Sequence, residues 1–142
     1  MIATSQHRIT VNAPQAEVFR AITTQAGLQG WYTPTPEGEP VHGRNLKLHF
    51  KTKEGPFEWK VTESKPGSTV RWECIEGPGS AVGSTATFNL IAKGDGKTVV
   101  DLDHEGLEST DEKNRVCNTM WGALMHHLKK YVETKKPDPA FH

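Results

Sequence analysis

Ser109-Thr110-Asp111-Glu112-Lys113-Asn114-Arg115-Val116-Cys117-Asn118-Thr119-Met120-Trp121-Gly122-Ala123-Leu124-Met125-His126-His127-Leu128 is the stretch on which the fold turns. Ser109 followed three residues later by Glu112 is a capping box: the hydroxyl accepts from a free amide and the carboxylate reaches back. Asp111 and Glu112 suit the positive end of a helix dipole, and Lys129, Lys130 and Lys135 the negative end. Cys117, Trp121, Leu124, Leu128 and Val132 fall on one stripe, flanked by Met120, Met125 and Tyr131. Pro137 stops the helix. About 25 residues at ~1.5 Å each make roughly 37 Å, enough to cross a small sheet from end to end.

Upstream of this rod the chain alternates. His7 to Val11 puts Ile9 and Val11 on one face, and Asn12-Ala13-Pro14 then opens a helix carrying Val18, Phe19 and Ile22. Thr23-Thr24 breaks it and caps a second short helix reaching Trp31, which Gly27 and Gly30 weaken by roughly 1 kcal/mol each. Thr33 to Pro40 reads as a loop. Five strands follow: 45–51 with Leu46, Leu48 and Phe50 on one face, 56–64 with Phe57, Trp59 and Val61, 69–75 with Val70, Trp72 and Cys74, 83–91 with Ala86, Phe88 and Leu90, and 98–105 with Val100, Leu102 and His104. Short turns at Lys65–Ser68, Gly77–Gly79 and Lys93–Gly96 imply antiparallel hairpins, and polar outer faces imply a sheet covered on one side. The expected architecture is therefore α+β: a curved antiparallel six-stranded sheet wrapped around a long C-terminal helix, with two short helices after the first strand. Residues 1–136 form one domain, and 137–142 a frayed tail.

Composition narrows the function classes. Seventeen basic and seventeen acidic residues cancel, and the seven His are scattered, so nothing favours nucleic acid or an anionic membrane. Met1 to Gln6 holds neither a basic leader nor an apolar core, and no apolar run approaches the ~18 residues of a span. A cytoplasmic protein with reduced thiols at Cys74 and Cys117 and no membrane insertion is expected.

Four stretches carry a family resemblance. Val11-Asn12-Ala13-Pro14-Gln15-Ala16-Glu17-Val18-Phe19, Leu28-Gln29-Gly30-Trp31-Tyr32, Thr98 to Gly106 and Trp121-Gly122-Ala123-Leu124-Met125-His126-His127-Leu128-Lys129 occur in an order that resembles the START-like (SRPBCC) superfamily. Within it they are similar to the branch named for the C-terminal domain of the activator of the ninety-kilodalton heat-shock chaperone's ATPase. The resemblance implies the helix-grip fold and a cavity between sheet and helix for a small apolar or aromatic molecule. It also implies contact with a chaperone as an alternative role. It brings no shared catalytic set.

Trp31, Phe57, Trp59, Trp72, Phe88, Leu102, Met120, Trp121 and Leu124 would then be the walls of that cavity, with His104 as its polar handle. The same rings can instead pack as a plain core. An inward His104 can orient a ligand oxygen or serve as acid or base in a cyclase- or dehydratase-type reaction; it can equally be a core imidazole bonded to its surroundings. His126 and His127 are adjacent on a helix and diverge by about 100°, and His42 and His49 lie on a loop and an outward face, so no metal is expected. No cofactor is implied. Cys74 and Cys117 read as buried small residues. Gly94-Asp95-Gly96 is a hairpin turn, since no helix follows it to cradle a phosphate. Monomer and homodimer stay equally open.

Overall fold

Alternation of apolar and polar side chains produces the sheet. The computed structural model describes residues 2–48, 57–77, 82–108 and 112–140. Its elements are β1 (Ile2–Val11), α1 (Gln15–Thr23), α2 (Gln25–Trp31), β2 (Glu37–Gly38), β3 (Asn45–Leu48), β4 (Phe57–Lys65), β5 (Thr69–Glu76), β6 (Thr85–Lys93), β7 (Lys97–Glu108) and α3 (Glu112–Thr134). The strands pair antiparallel in the order β1-β7-β6-β5-β4-β3-β2. The architecture is the expected α+β one, with seven strands in place of six. The extra strand, β2, pairs only Glu37 with Lys47 and Gly38 with Leu46. A two-residue bridge between Pro36 and Pro40 is too short to show a period, which is why that stretch reads as loop. Ser109, Thr110 and Asp111 of the capping box lie outside the described residues, as do His49 and Phe50 and the Cys117 side chain.

Parity is kept throughout: Phe57, Trp59, Val61, Val70, Trp72, Cys74, Ala86, Phe88, Val100, Leu102 and His104 are all buried. They face α3, which runs closest to β1 and α2. The curl of the sheet is measurable. Strands β4 and β7 are three places apart, ~14 Å in a flat sheet at ~4.8 Å per strand. Yet the Trp59 and His104 ring centres are 6.1 Å apart. Bulges supply part of the bend. One lies where Ala3 faces Leu107 and Thr4 faces Glu105, leaving Gly106 as the extra residue at φ 97°. A side chain there would be strained by that φ, and its Cβ would sit 3.1 Å from Ser84 Cα.

The two short helices are built for contact more than for propensity. Thr24 Oγ1 caps α2 by accepting from the Gly27 amide at 3.0 Å. A Cβ at Gly27 would lie 2.3 Å from the Ala21 carbonyl oxygen, so only glycine lets α2 settle on α1. That same oxygen accepts from Trp31 Nε1 at 2.8 Å. The helix-weakening glycine is thus what seats Trp31.

The tail is not frayed over its described part. Asp138 N donates to Gly30 O at 2.9 Å, Ala140 N to Trp31 O at 3.0 Å, and His127 Nδ1 to Asp138 O at 2.6 Å. Lys135 at φ 63° turns the chain out of α3 and back onto α2. Backbone docking of this kind leaves no pattern in side-chain types.

Candidate functional site

All ten residues expected to line a pocket come together between the sheet and α3. Trp31, Trp59, Trp72, Phe88, Leu102, His104 and Leu124 are fully buried, Phe57 and Trp121 nearly so, and Met120 packs against them half-buried. Trp121 is their hub. Its ring meets Trp59 at 6.0 Å, Phe88 at 6.0 Å and Tyr32 at 6.3 Å, each edge to face. Trp72 meets Phe88 at 5.1 Å and Trp59 at 5.9 Å, while Phe57 stacks on Trp59 at 5.5 Å. Edge-to-face and offset-stacked arrangements are the preferred ones for aromatic pairs. In this state the rings touch one another.

His104 sits in a closed chain of hydrogen bonds. Trp121 Nε1 donates to His104 Nδ1 at 3.0 Å, and Ser84 Oγ lies 3.0 Å from His104 Nε2. An indole nitrogen can only donate, so Nδ1 accepts and the imidazole proton resides on Nε2, directed at the Ser84 hydroxyl. Burial, with nearby His7 as the lesser cause, pushes this imidazole down to about 4. It is therefore neutral at neutral pH, with both nitrogens engaged. The arrangement is that of a core histidine locked in one tautomer. A ligand or a proton-transfer step could use it only by breaking one of these bonds.

The four tryptophans divide sharply. Trp31 and Trp121, on α2 and α3, have bonded N–H groups. Trp59 and Trp72, on β4 and β5, have buried Nε1 atoms with no hydrogen-bond partner among the described residues. Register places Trp59 opposite Cys74 and Trp72 opposite Val61, which makes the two indoles diagonal neighbours on the concave face. Trp72, Ala86 and His104 form one row across β5, β6 and β7. The Trp59 ring lies within contact of both Trp72 and His104, across the step left by the small Ala86.

Three further side chains, beyond the expected site residues, join this interior. Ser84 shares inward parity with Ala86 and Phe88, so the alternation held the signal. Tyr32 ends α2 beside Trp31, with rings 5.4 Å apart. His7 shares the inward face of Ile9 and Val11 and lies beneath α3 at Gly122, where a Cβ would stand 3.8 Å from its ring. Its Nε2 is buried without a partner.

The remaining candidates resolve simply. Cys74 is buried, and its thiol donates to Glu76 O at 3.4 Å. His42 is exposed on its loop. Among the described residues no three His, Cys, Asp or Glu side chains converge as metal ligands, and no helix is long and apolar enough to cross a membrane. Outside the interior, a groove of about 170 Å³ runs between α1, α2 and the end of α3, over Glu17, Arg20, Tyr131 and Lys135. The Lys135 ammonium already pairs with Glu17 there at 2.9 Å.

The family described as "Activator of Hsp90 ATPase homolog 1-like protein" matches residues 12–133. The solution structure of the Aha1 dimer from Colwellia psychrerythraea is 30% identical, with a TM-score of 0.82 over 93% of this chain and 97% of that one. A crystal structure from Staphylococcus saprophyticus, 15% identical, has a TM-score of 0.75 over 96% of each chain. DynU16, from the dynemicin biosynthetic locus, is 19% identical with a TM-score of 0.76 over 94% of this chain and 48% of that one. The latter two share the fold alone. No curated protein matches the chain.

Proposed function

We propose that this chain, which belongs to the Activator of Hsp90 ATPase homolog 1-like family, binds a small hydrophobic molecule between its sheet and α3. The observation that carries the reading is the convergence of rings from α2, β4, β5, β6 and α3 on one buried interior. Aromatic walls with few polar groups are the usual lining of small-molecule sites. Since the rings touch one another without a guest, entry requires some of them to turn. Trp59 and Trp72 are the ones that can turn without giving up a hydrogen bond. Native mass spectrometry of freshly purified protein tests this, with retention of a small molecule as the expected result. Titration with N-phenyl-1-naphthylamine should quench tryptophan fluorescence; a probe that leaves all four indoles unquenched overturns the reading.

A second reading is favoured by the family match and by the 30% identity to the Colwellia Aha1: contact with a chaperone of the ninety-kilodalton heat-shock class. That contact would use the outer surface and leave the interior untouched. Stimulation of the chaperone's ATPase by the added chain, undiminished in interior variants, is the expected sign. Assembly as a homodimer, as in that relative, is part of the same reading, and sedimentation tests it. No reading through acid–base chemistry at His104 is put forward, because both its nitrogens are committed.

A further inference from the structure

We infer that the guest of this interior is a neutral or anionic molecule carrying an oxygen acceptor on an apolar ring body, received by the Trp59 and Trp72 indole N–H groups. The inference rests on the reading that the interior binds a small molecule, and it adds the chemical class.

The polar groups of the interior decide the class. Among the described residues the buried polar side chains are Thr33, Ser84, Thr98 and His104. None is acidic. Thr98 Oγ1 donates to Ala13 O at 2.8 Å, and His104 is bonded on both sides. What remains unmatched is Nε1 of Trp59, Nε1 of Trp72 and Nε2 of His7. The imidazole nitrogen can donate or accept according to tautomer and so does not discriminate. The indole nitrogens can only donate. A buried donor without a partner forfeits the solvation it had in water, and this is rare enough in folded proteins to call for an explanation.

Neighbouring π faces answer the donors poorly, because N–H···π contacts are weaker than a bond to oxygen. A guest bringing a carbonyl or phenolate oxygen answers them properly. A guest bringing an ammonium meets two more donors and no carboxylate, so only ring faces are left to answer its desolvated charge. The two donors are diagonal neighbours on adjacent strands, with ring centres 5.9 Å apart. One oxygen between them, or two on one ring system, is within their reach.

Three ligands of nearly one shape form the test: 1-indanone, indane and 1-aminoindane, titrated calorimetrically into the full chain at neutral pH. The ketone costs more than the hydrocarbon to take from water, so a site without free donors prefers indane. The expected order is the reverse, with 1-indanone about tenfold tighter than indane, the scale of two modest hydrogen bonds, and 1-aminoindane weakest. In the Trp59→Phe/Trp72→Phe variant the preference for the ketone should vanish while indane still binds. Indane binding as tightly as indanone to the parent chain overturns the inference and leaves the pocket reading standing. Failure of all three to bind overturns both. Should the double variant not fold, ¹⁵N-labelled tryptophan in the parent chain gives an independent readout. Adding 1-indanone should move two indole N–H resonances downfield and leave the Trp31 and Trp121 resonances in place. Four resonances already at the bonded position before any ligand is added would overturn the inference.

Discussion

The helical and the sheet halves of the interior contain the same kind of residue held in different ways. On the helical side, Trp31 is fixed by the Ala21 carbonyl and Trp121 by His104, which Ser84 fixes in turn. On the sheet side, Trp59 and Trp72 are just as deeply buried, yet packing holds them, with no hydrogen bond to either Nε1 among the described residues. Packing resists loss of area, whereas a hydrogen bond in a dry interior also fixes the direction of its donor. The lesson is a division of labour: one wall is anchored by hydrogen bonds, and the other is held by packing with its indole donors unmet. A protein that has only to be stable gains nothing from leaving two indole donors unmet.

The anchored half should be the costly one to damage. His104→Ala removes a buried ring and strands the Trp121 N–H, so a loss of about 4 kcal/mol is expected in urea denaturation. A loss below about 1 kcal/mol would mean that the bond chain holds nothing in place. Acid offers a second route to the same group. The folded-state pKa of about 4 lies below the ordinary value of 6.5. Falling pH therefore protonates the unfolded chain first. His104's share of stability is whole above pH 6.5, is lost progressively down to about 4, and levels off below. The whole span amounts to about 3 kcal/mol, at ~1.4 kcal/mol per unit. Measured from pH 7.5 to 4, the parent chain should lose that much more than a His104→Asn variant. Equal slopes would place the titration elsewhere.

The two halves can also be compared through matched substitutions. Trp121→Phe and Trp59→Phe delete the same ring atoms, so the difference between their costs contains the hydrogen bond lost in the first and the unmet donor removed in the second. Trp121→Phe should be worse by about 2 kcal/mol, since it leaves His104 Nδ1 without its donor. Equal costs would erase the distinction drawn here between the walls.

How far the sequence reaches into this picture differs along the chain. The period of two put Trp59, Trp72, Phe88 and His104 on one face because an inward side chain every second residue is what a half-covered sheet requires. The helix stripe through Trp121, Leu124 and Leu128 was legible for the same reason. The strand β2 was not, since two paired residues have no period. Nor was the docking of Asp138 and Ala140 on α2, which uses backbone groups that every residue carries. For the site, composition and parity name which rings meet but not which N–H finds an acceptor. Trp31 succeeds because Gly27 brings the Ala21 carbonyl within reach, and Trp121 because His104 lies across from it. Both are accidents of distant segments meeting. His7 was passed over because one imidazole at the start of a strand looks like any surface residue until α3 covers it.

The smallest effect is expected on the outer face, and it serves as the control for the rest. Arg8 grips Asp101 through two bonds, Nε to Oδ1 at 2.6 Å and Nη2 to Oδ2 at 2.8 Å. The guanidinium's hydrogen bond holds the Asp101 carboxyl below its ordinary range. Both groups nonetheless sit in water, which solvates them almost as well when the pair is broken. Arg8→Ala should leave the melting midpoint at neutral pH unchanged within error, although its bond is shorter than the Trp121–His104 one. A shift as large as that of Trp121→Phe would mean that bond length governs these contributions. No shift means that exclusion of water does, and then a donor left unmet inside the sheet wall costs more than an ion pair broken on the outer face.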